Sequence, residues 1–111
     1  MSDLTLSGFT LGDLAARIKE RAQAASEASY TRKLLDKGVA HCAKKLGEEA
    51  VETVLAAVNE DDSRLIAETA DLLYHVLVVL EARGLALADV EAELARRTAQ
   101  SGLEEKASRK S

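Results

Sequence analysis

The chain predicts an all-α fold, and three observations lead there. Ala, Leu, Glu, Lys and Arg dominate the sequence, and these residues lose little on entering a helix. Apolar residues recur at three- and four-residue spacing, whereas Val, Thr and the aromatics form no alternating runs. No proline interrupts any segment. With 111 residues there is room for one modest domain, residues 1–111, and the expectation is an antiparallel bundle of about four helices.

The elements follow in order. Residues 1–9 form a loose lead-in. Thr10 is placed to cap a first helix, with Asp13 near its N-terminal dipole. Leu11, Leu14, Ala15, Ile18 and Ala22 then fall on one face. Next, Ser29 or Thr31 can cap a short turn of helix that Gly38 ends. A long helix is expected from about Val39 to Val58, its apolar stripe being Val39, Ala43, Leu46, Ala50, Val54 and Val58, broadened by Val51 and Leu55. After a polar connector, with Asp62 or Ser63 as N-cap, a second long helix runs from about Arg64 to Arg83 and stops at Gly84. The short connector requires the two to pack antiparallel. A last helix, about 88–99, carries Val90 and Leu94, and residues 101–111 form a polar tail.

Hydrophobic residues at 47% and charged residues at 31% specify a globular chain rather than a disordered one. A formal charge of −4 argues against a general nucleic-acid binder. Cys42, the single cysteine, excludes an intrachain disulfide and suits a reducing compartment. The N-terminus lacks a signal-peptide pattern, and the longest apolar stretch, Val76–Leu80, is too short to span a bilayer. A soluble cytoplasmic protein with no membrane partner is expected. Between Leu72 and Leu80 only Tyr74 and His75 are polar, so that helix is apolar nearly all round and needs cover on several sides. The expectation is a two-fold homodimer with this helix near the interface.

The chemistry sits in an acidic constellation. Glu49 and Glu52 are three residues apart, as are Glu68 and Asp71. On a helix such pairs lie about 60° apart and aim their carboxylates the same way. Two antiparallel helices can therefore point four carboxylates at one place, and an all-oxygen site of this kind suits Mg²⁺ or Mn²⁺, which in turn suit polyphosphates. The bland alternative is a solvated face on which Lys44 and Lys45 pair with Glu48 and Glu49. Against it, Glu52 and Asp71 sit at the margins of apolar stretches, where an unpaired charge is costly. Gly47, inside a helix, leaves room either for a ligand or for close helix packing.

Five blocks then carry a family resemblance: SYT at 29–31 with Lys33, Leu34 and Leu35; Lys37-Gly38; CAKKLGEEAVE at 42–52; ETADLLYH at 68–75; and SGLEEKASRK at 101–110. Their order and spacing resemble the phosphoribosyl-ATP pyrophosphohydrolases of histidine biosynthesis, within the MazG-like all-α nucleoside triphosphate pyrophosphohydrolases. The resemblance implies Mg²⁺-dependent hydrolysis of phosphoribosyl-ATP to phosphoribosyl-AMP and pyrophosphate. It also implies a stand-alone form that meets the next enzyme, a cyclohydrolase, as a separate protein. Two departures, Val39-Ala40-His41 in place of a proline-containing turn and Ala86 in place of a capping serine, concern helix starts.

On this reading Glu49, Glu52, Glu68 and Asp71 are metal ligands, Glu48 is either a further ligand or the base that positions water, and Glu48 and Glu49 are the catalytic candidates. Lys33, Lys37, Lys44 and Lys45, with Ser101, Gly102, Lys106, Ser108 and Arg109 of the tail, meet the substrate's phosphates. Tyr30 and Tyr74 either face the adenine or sit at the core edge. His75 either orients Asp71 or is a core histidine, His41 is exposed, and Cys42 packs. The rival enzyme is a MazG-like house-cleaning nucleotide pyrophosphohydrolase, which would share the carboxylates and lack the SYT and tail blocks. The rival from another class is a silent helical dimerisation module.

Overall fold

A computed structural model of the chain describes residues 8–24 and 29–99, which form five α-helices and no strand. They are α1 (Leu11–Gln23), α2 (Tyr30–Asp36), α3 (Val39–Asn59), α4 (Asp62–Ala82) and α5 (Leu87–Thr98). The all-α expectation holds, and the helices of the carboxylate motifs start and stop within two residues of the positions expected.

The boundaries have local causes. The Thr10 hydroxyl accepts the Asp13 N–H and the Asp13 carboxylate accepts the Thr10 N–H, both at 3.1 Å, which makes a capping box for α1. Ser29 caps α2 by accepting the Arg32 N–H at 3.3 Å. Gly38 turns the chain into α3 at φ 95°, and Gly84 ends α4 at φ 72°, both in the left-handed region that glycine tolerates. At Gly84 the Leu85 N–H reaches the Leu80 carbonyl at 2.8 Å, which satisfies one of the orphan acceptors of the helix end. The cap of α4 is Asp61, one residue before the expected pair. Its carboxylate accepts the Arg64 N–H at 2.9 Å and the Ser63 hydroxyl at 3.1 Å, and these bonds hold it below the usual carboxylate range. Ala86 has no capping side chain. Asp89 accepts its N–H at 2.9 Å instead.

Ile18, Leu34, Cys42, Leu77 and Val78 form the buried core where α1, α2, the start of α3 and the second half of α4 meet. Cys42 is fully buried and its S–H donates to the Leu34 carbonyl at 3.2 Å. Burial also pushes the thiol above its usual pKa, so Cys42 is a packing residue as expected.

The apolar stripe of α3 is divided by the fold. Leu46 lies on the face that α3 turns to α4, whereas Val39, Ala43, Val54 and Val58 are exposed. That face carries the buried Cys42 and Ala56 and the half-buried Leu46, Glu49 and Thr53, while Val51, Val54, Leu55 and Val58 are 50–75% exposed. Periodicity reveals that an apolar face exists but not what covers it. Here the smaller residues let α3 and α4 approach closely, and the larger ones are left outside. The stretch Leu72–Leu80 packs in part against the chain's own α1, α2 and α3, with His75, Leu77 and Val78 buried and Leu73 exposed. Further exposed apolar surface lies on the outer face of α3, with Ile66 near the start of α4 and Val90 and Leu94 on α5.

Candidate active site

The antiparallel pairing of α3 and α4 sets Glu49 opposite Glu68 and Asp71. One ligand oxygen from each of these three carboxylates lies within 4.8 Å of the others. Glu49 is half-buried, Glu68 is 5% exposed and Asp71 is exposed, so the cluster opens from the helix seam to solvent. Thr53 fixes this juxtaposition. Its hydroxyl lies 2.8 Å from the carbonyl of Glu49, one turn earlier on α3, and 3.1 Å from the carbonyl of Glu68 on α4.

Glu68 is the most constrained member. Its Oε2 accepts from Arg64 at 2.9 Å, one turn earlier, while its buried Oε1 has no hydrogen-bond partner among the described residues. Burial raises its pKa, the Arg64 charge opposes that rise, and the charges of Glu52, Asp71 and Glu49 add to it. Glu52 is exposed and stands outside the group of three, yet its charge is felt at Glu68.

The donor set fits a small divalent cation. Ligand oxygens around an octahedral ion with bonds of about 2.0–2.1 Å lie roughly 2.9–4.2 Å apart. The three oxygens, within 4.8 Å of one another, are near that spacing, and the buried Oε1 of Glu68, which has no partner among the described residues, is an acceptor such a cation could satisfy.

The remaining sequence candidates fall into groups. Glu48 is exposed and bound to Lys45 at 3.4 Å, turned away from the three. That hydrogen bond raises the Lys45 pKa above its ordinary 10.5. The i, i+4 pairing of the bland alternative is not seen for these lysines and glutamates among the described residues, and this i, i+3 bridge stands in its place. Lys33, Lys37 and Lys45 line a pocket beside α2 with Tyr30 and His41, whereas Lys44 is exposed and stands outside it. Among the described residues nothing packs against Gly47, so close packing of the described helices does not explain it. Ser101, Gly102, Lys106, Ser108 and Arg109 lie outside the described residues.

Tyr74 is half-buried, its hydroxyl 2.5 Å from that of the buried Thr31, and Tyr30 stacks on it with ring centroids 6.3 Å apart. His75 is buried and donates from Nδ1 to the backbone carbonyl of Asp71 at 2.8 Å, not to its carboxylate. It therefore stiffens the turn that carries Asp71 rather than steering the acid. Sequence reasoning missed Thr53, Arg64 and the pocket role of His41. Thr53 lies one turn after Glu49, and Arg64 one turn before Glu68. Lys33, Lys37, His41 and Lys45 recur every four residues across the α2–α3 joint.

Fold and cluster define a class: an all-α protein in which carboxylates from two antiparallel helices converge on one point. Within that class, the sequence profile of the phosphoribosyl-ATP pyrophosphohydrolase family matches residues 11–98, and the chain belongs to this family. It is 69% identical over 102 residues to phosphoribosyl-ATP pyrophosphatase 1 of Bradyrhizobium diazoefficiens, covering 92% of this chain and 96% of the relative. The corresponding protein of Rhodopseudomonas palustris is 63% identical over 105 residues, covering 95% and 98%. The phosphoribosyl-ATP pyrophosphatase of Rhizobium meliloti is 57% identical over 104 residues, covering 94% and 97%. Among the described residues no helix is long and apolar enough to cross a membrane.

Proposed function

We propose that this chain hydrolyses phosphoribosyl-ATP to phosphoribosyl-AMP and pyrophosphate in histidine biosynthesis, with Mg²⁺ held by Glu49, Glu68 and Asp71. The observation that carries the reading is the convergence of those carboxylates, one of which, Glu68, has a buried oxygen with no partner among the described residues, in a chain of this family. Mn²⁺ has the same ligand preferences and would substitute.

Bound there, the cation would neutralise phosphate charge and polarise the phosphoric anhydride. The chain supplies the rest. Glu68, anchored through Arg64, has its second oxygen without a partner among the described residues and would be one of the groups that hold the ion. Asp71 and Glu49 close the site from the two helices, and Thr53 keeps their separation fixed. Glu52, exposed but close enough for its charge to be felt at Glu68, would complete the ion's shell, and the attacking water would be oriented by Glu49, which faces the cluster, rather than by Glu48, which is held by Lys45. One water is consumed, the anhydride bond breaks, pyrophosphate leaves and one proton is released. Lys33, Lys37 and Lys45 supply positive charge for the phosphates.

The functional unit in this reading is a homodimer. The exposed Val51, Val54, Leu55 and Val58 on α3 and Ile66 on α4 give an apolar surface suited to a second copy. The test of the chemistry is pyrophosphate release by Glu52→Gln and Asp71→Asn. Loss of turnover with helical circular dichroism intact supports the assignment, and retained turnover rejects it.

A further inference from the structure

The pocket beside α2 has a volume of about 530 Å³ and lies where α2 meets the first turns of α3. Lys33 and Lys37 come from α2 and the segment after it, His41 and Lys45 from α3. Its one acid, Asp36, is already held by Arg32 at 2.9 Å. Lys45 is bridged to Glu48, but Lys33 and Lys37 have no ion-pair partner among the described residues. The pocket therefore carries uncompensated positive charge, and the half-exposed Tyr30 stands at its rim.

Its position relative to the carboxylates is set by α3. Lys45 lies one turn before Glu49, and His41 one turn earlier still. At about 1.5 Å per residue, His41 is roughly 12 Å along the helix from Glu49. A ligand spanning this distance needs an anionic group at each end and a body that can lie against an aromatic ring. Phosphoribosyl-ATP differs from ATP by one more ribose phosphate, at the end of the purine opposite the triphosphate.

We propose that this pocket is the subsite for the ribosyl 5-phosphate, held by Lys33, Lys37 and His41, and that it gives the enzyme its preference for phosphoribosyl nucleotides over plain ones. The proposal rests on the phosphoribosyl-ATP reading above. A monophosphate is the better occupant than the leaving pyrophosphate, because the latter must stay beside the carboxylates. Lys45, nearest the cluster, is the residue the two subsites share.

The test compares the affinities of phosphoribosyl-AMP and AMP, measured as competitive inhibitors of phosphoribosyl-ATP hydrolysis. Neither carries β- or γ-phosphates, so the comparison isolates the added phosphoribosyl group, and the lysine variants report on its phosphate. Each lost charge-assisted phosphate bond is worth about tenfold in affinity. The preference for phosphoribosyl-AMP should therefore fall at least tenfold in Lys33→Gln/Lys37→Gln and be largely retained in Lys33→Arg/Lys37→Arg. Wild-type turnover with a preference that stays within threefold in the Gln variant overturns the subsite and leaves the parent reading standing. Absence of phosphoribosyl-ATP turnover in the wild-type protein overturns both.

Discussion

Replacing Thr53 with valine removes one hydroxyl and little volume, and its consequences can be worked from two contacts. The hydroxyl lies within hydrogen-bond distance of the Glu49 carbonyl, a local back-bond, and of the Glu68 carbonyl, a tie between helices. Both carbonyls are internal to their helices and keep their i+4 N–H donors, so valine leaves no buried acceptor orphaned. The cost is then the net worth of one hydrogen bond, about 1 kcal/mol, rather than a desolvation penalty. For a chain of this size that corresponds to a fall in Tm of roughly 3–6 °C. A Mg²⁺ effect comes on top of it. An ion that binds only the folded state stabilises by RT ln(1 + [L]/Kd), so a looser α3–α4 seam reduces the rise in Tm that Mg²⁺ confers. The assay is thermal unfolding followed by circular dichroism at fixed chain concentration, with and without millimolar Mg²⁺, for wild type, Thr53→Val and Thr53→Ser. Serine keeps the hydroxyl and should restore most of both effects. A valine variant with wild-type Tm and wild-type Mg²⁺ response, or a serine variant no better than valine, refutes the reasoning.

Three further outcomes are expected. Glu68→Gln should abolish Mg²⁺-linked stabilisation without lowering the metal-free Tm at neutral pH. The folded-state pKa of Glu68 is raised by burial, so its stabilising contribution is present below the ordinary carboxylate value and lost as pH rises through the folded one. The ionised acid at neutral pH is thus a liability that glutamine removes, and a large drop in metal-free Tm would contradict this. Val54→Asp with Leu55→Asp places charges on the exposed face of α3 and should convert a dimer to a monomer in light scattering; an unchanged mass rejects that face as the interface. In α5, Glu93 is bonded by Arg96 and Arg97, which lower its pKa from 4.5 to about 2. A lowered pKa means that the stabilisation is present above 4.5 and is lost as pH falls toward 2. NMR shifts of α5 amides should report fraying over that interval, and a Glu93→Gln variant that frays identically in acid would count against the bridge.

Helix existence was legible because each long segment carries a sustained period and a polar or glycine stop. The carboxylate cluster was legible for the same reason: three-residue spacing fixes direction on one helix, and a short polar connector fixes the antiparallel partner. What could not be read was anything set by the rotation of one helix against another. The stripe through Val54 and Val58 is the more hydrophobic face of α3, yet the seam with α4 uses Cys42, Thr53 and Ala56, because small side chains permit close approach. Thr53 lies in the middle of a helix and carries no sequence mark of a tie between helices. The same rotation turns Glu48 toward Lys45 while it turns Glu49 inward. Asp61, rather than Asp62 or Ser63, caps α4 because the connector is shorter than its polar run suggests. His75 shows the limit of spacing arguments: one turn after Asp71 it reaches the backbone carbonyl and not the acid.

The central claim is that the converged carboxylates release pyrophosphate from phosphoribosyl-ATP. Its most direct test is pyrophosphate release with Mg²⁺ from phosphoribosyl-ATP, ATP and a panel of deoxynucleoside triphosphates, run beside Asp71→Asn. Rapid release from phosphoribosyl-ATP alone, abolished in Asp71→Asn and by chelation of the metal, is the predicted result. Release mainly from deoxynucleotides, or release from phosphoribosyl-ATP that survives in Asp71→Asn, would contradict it.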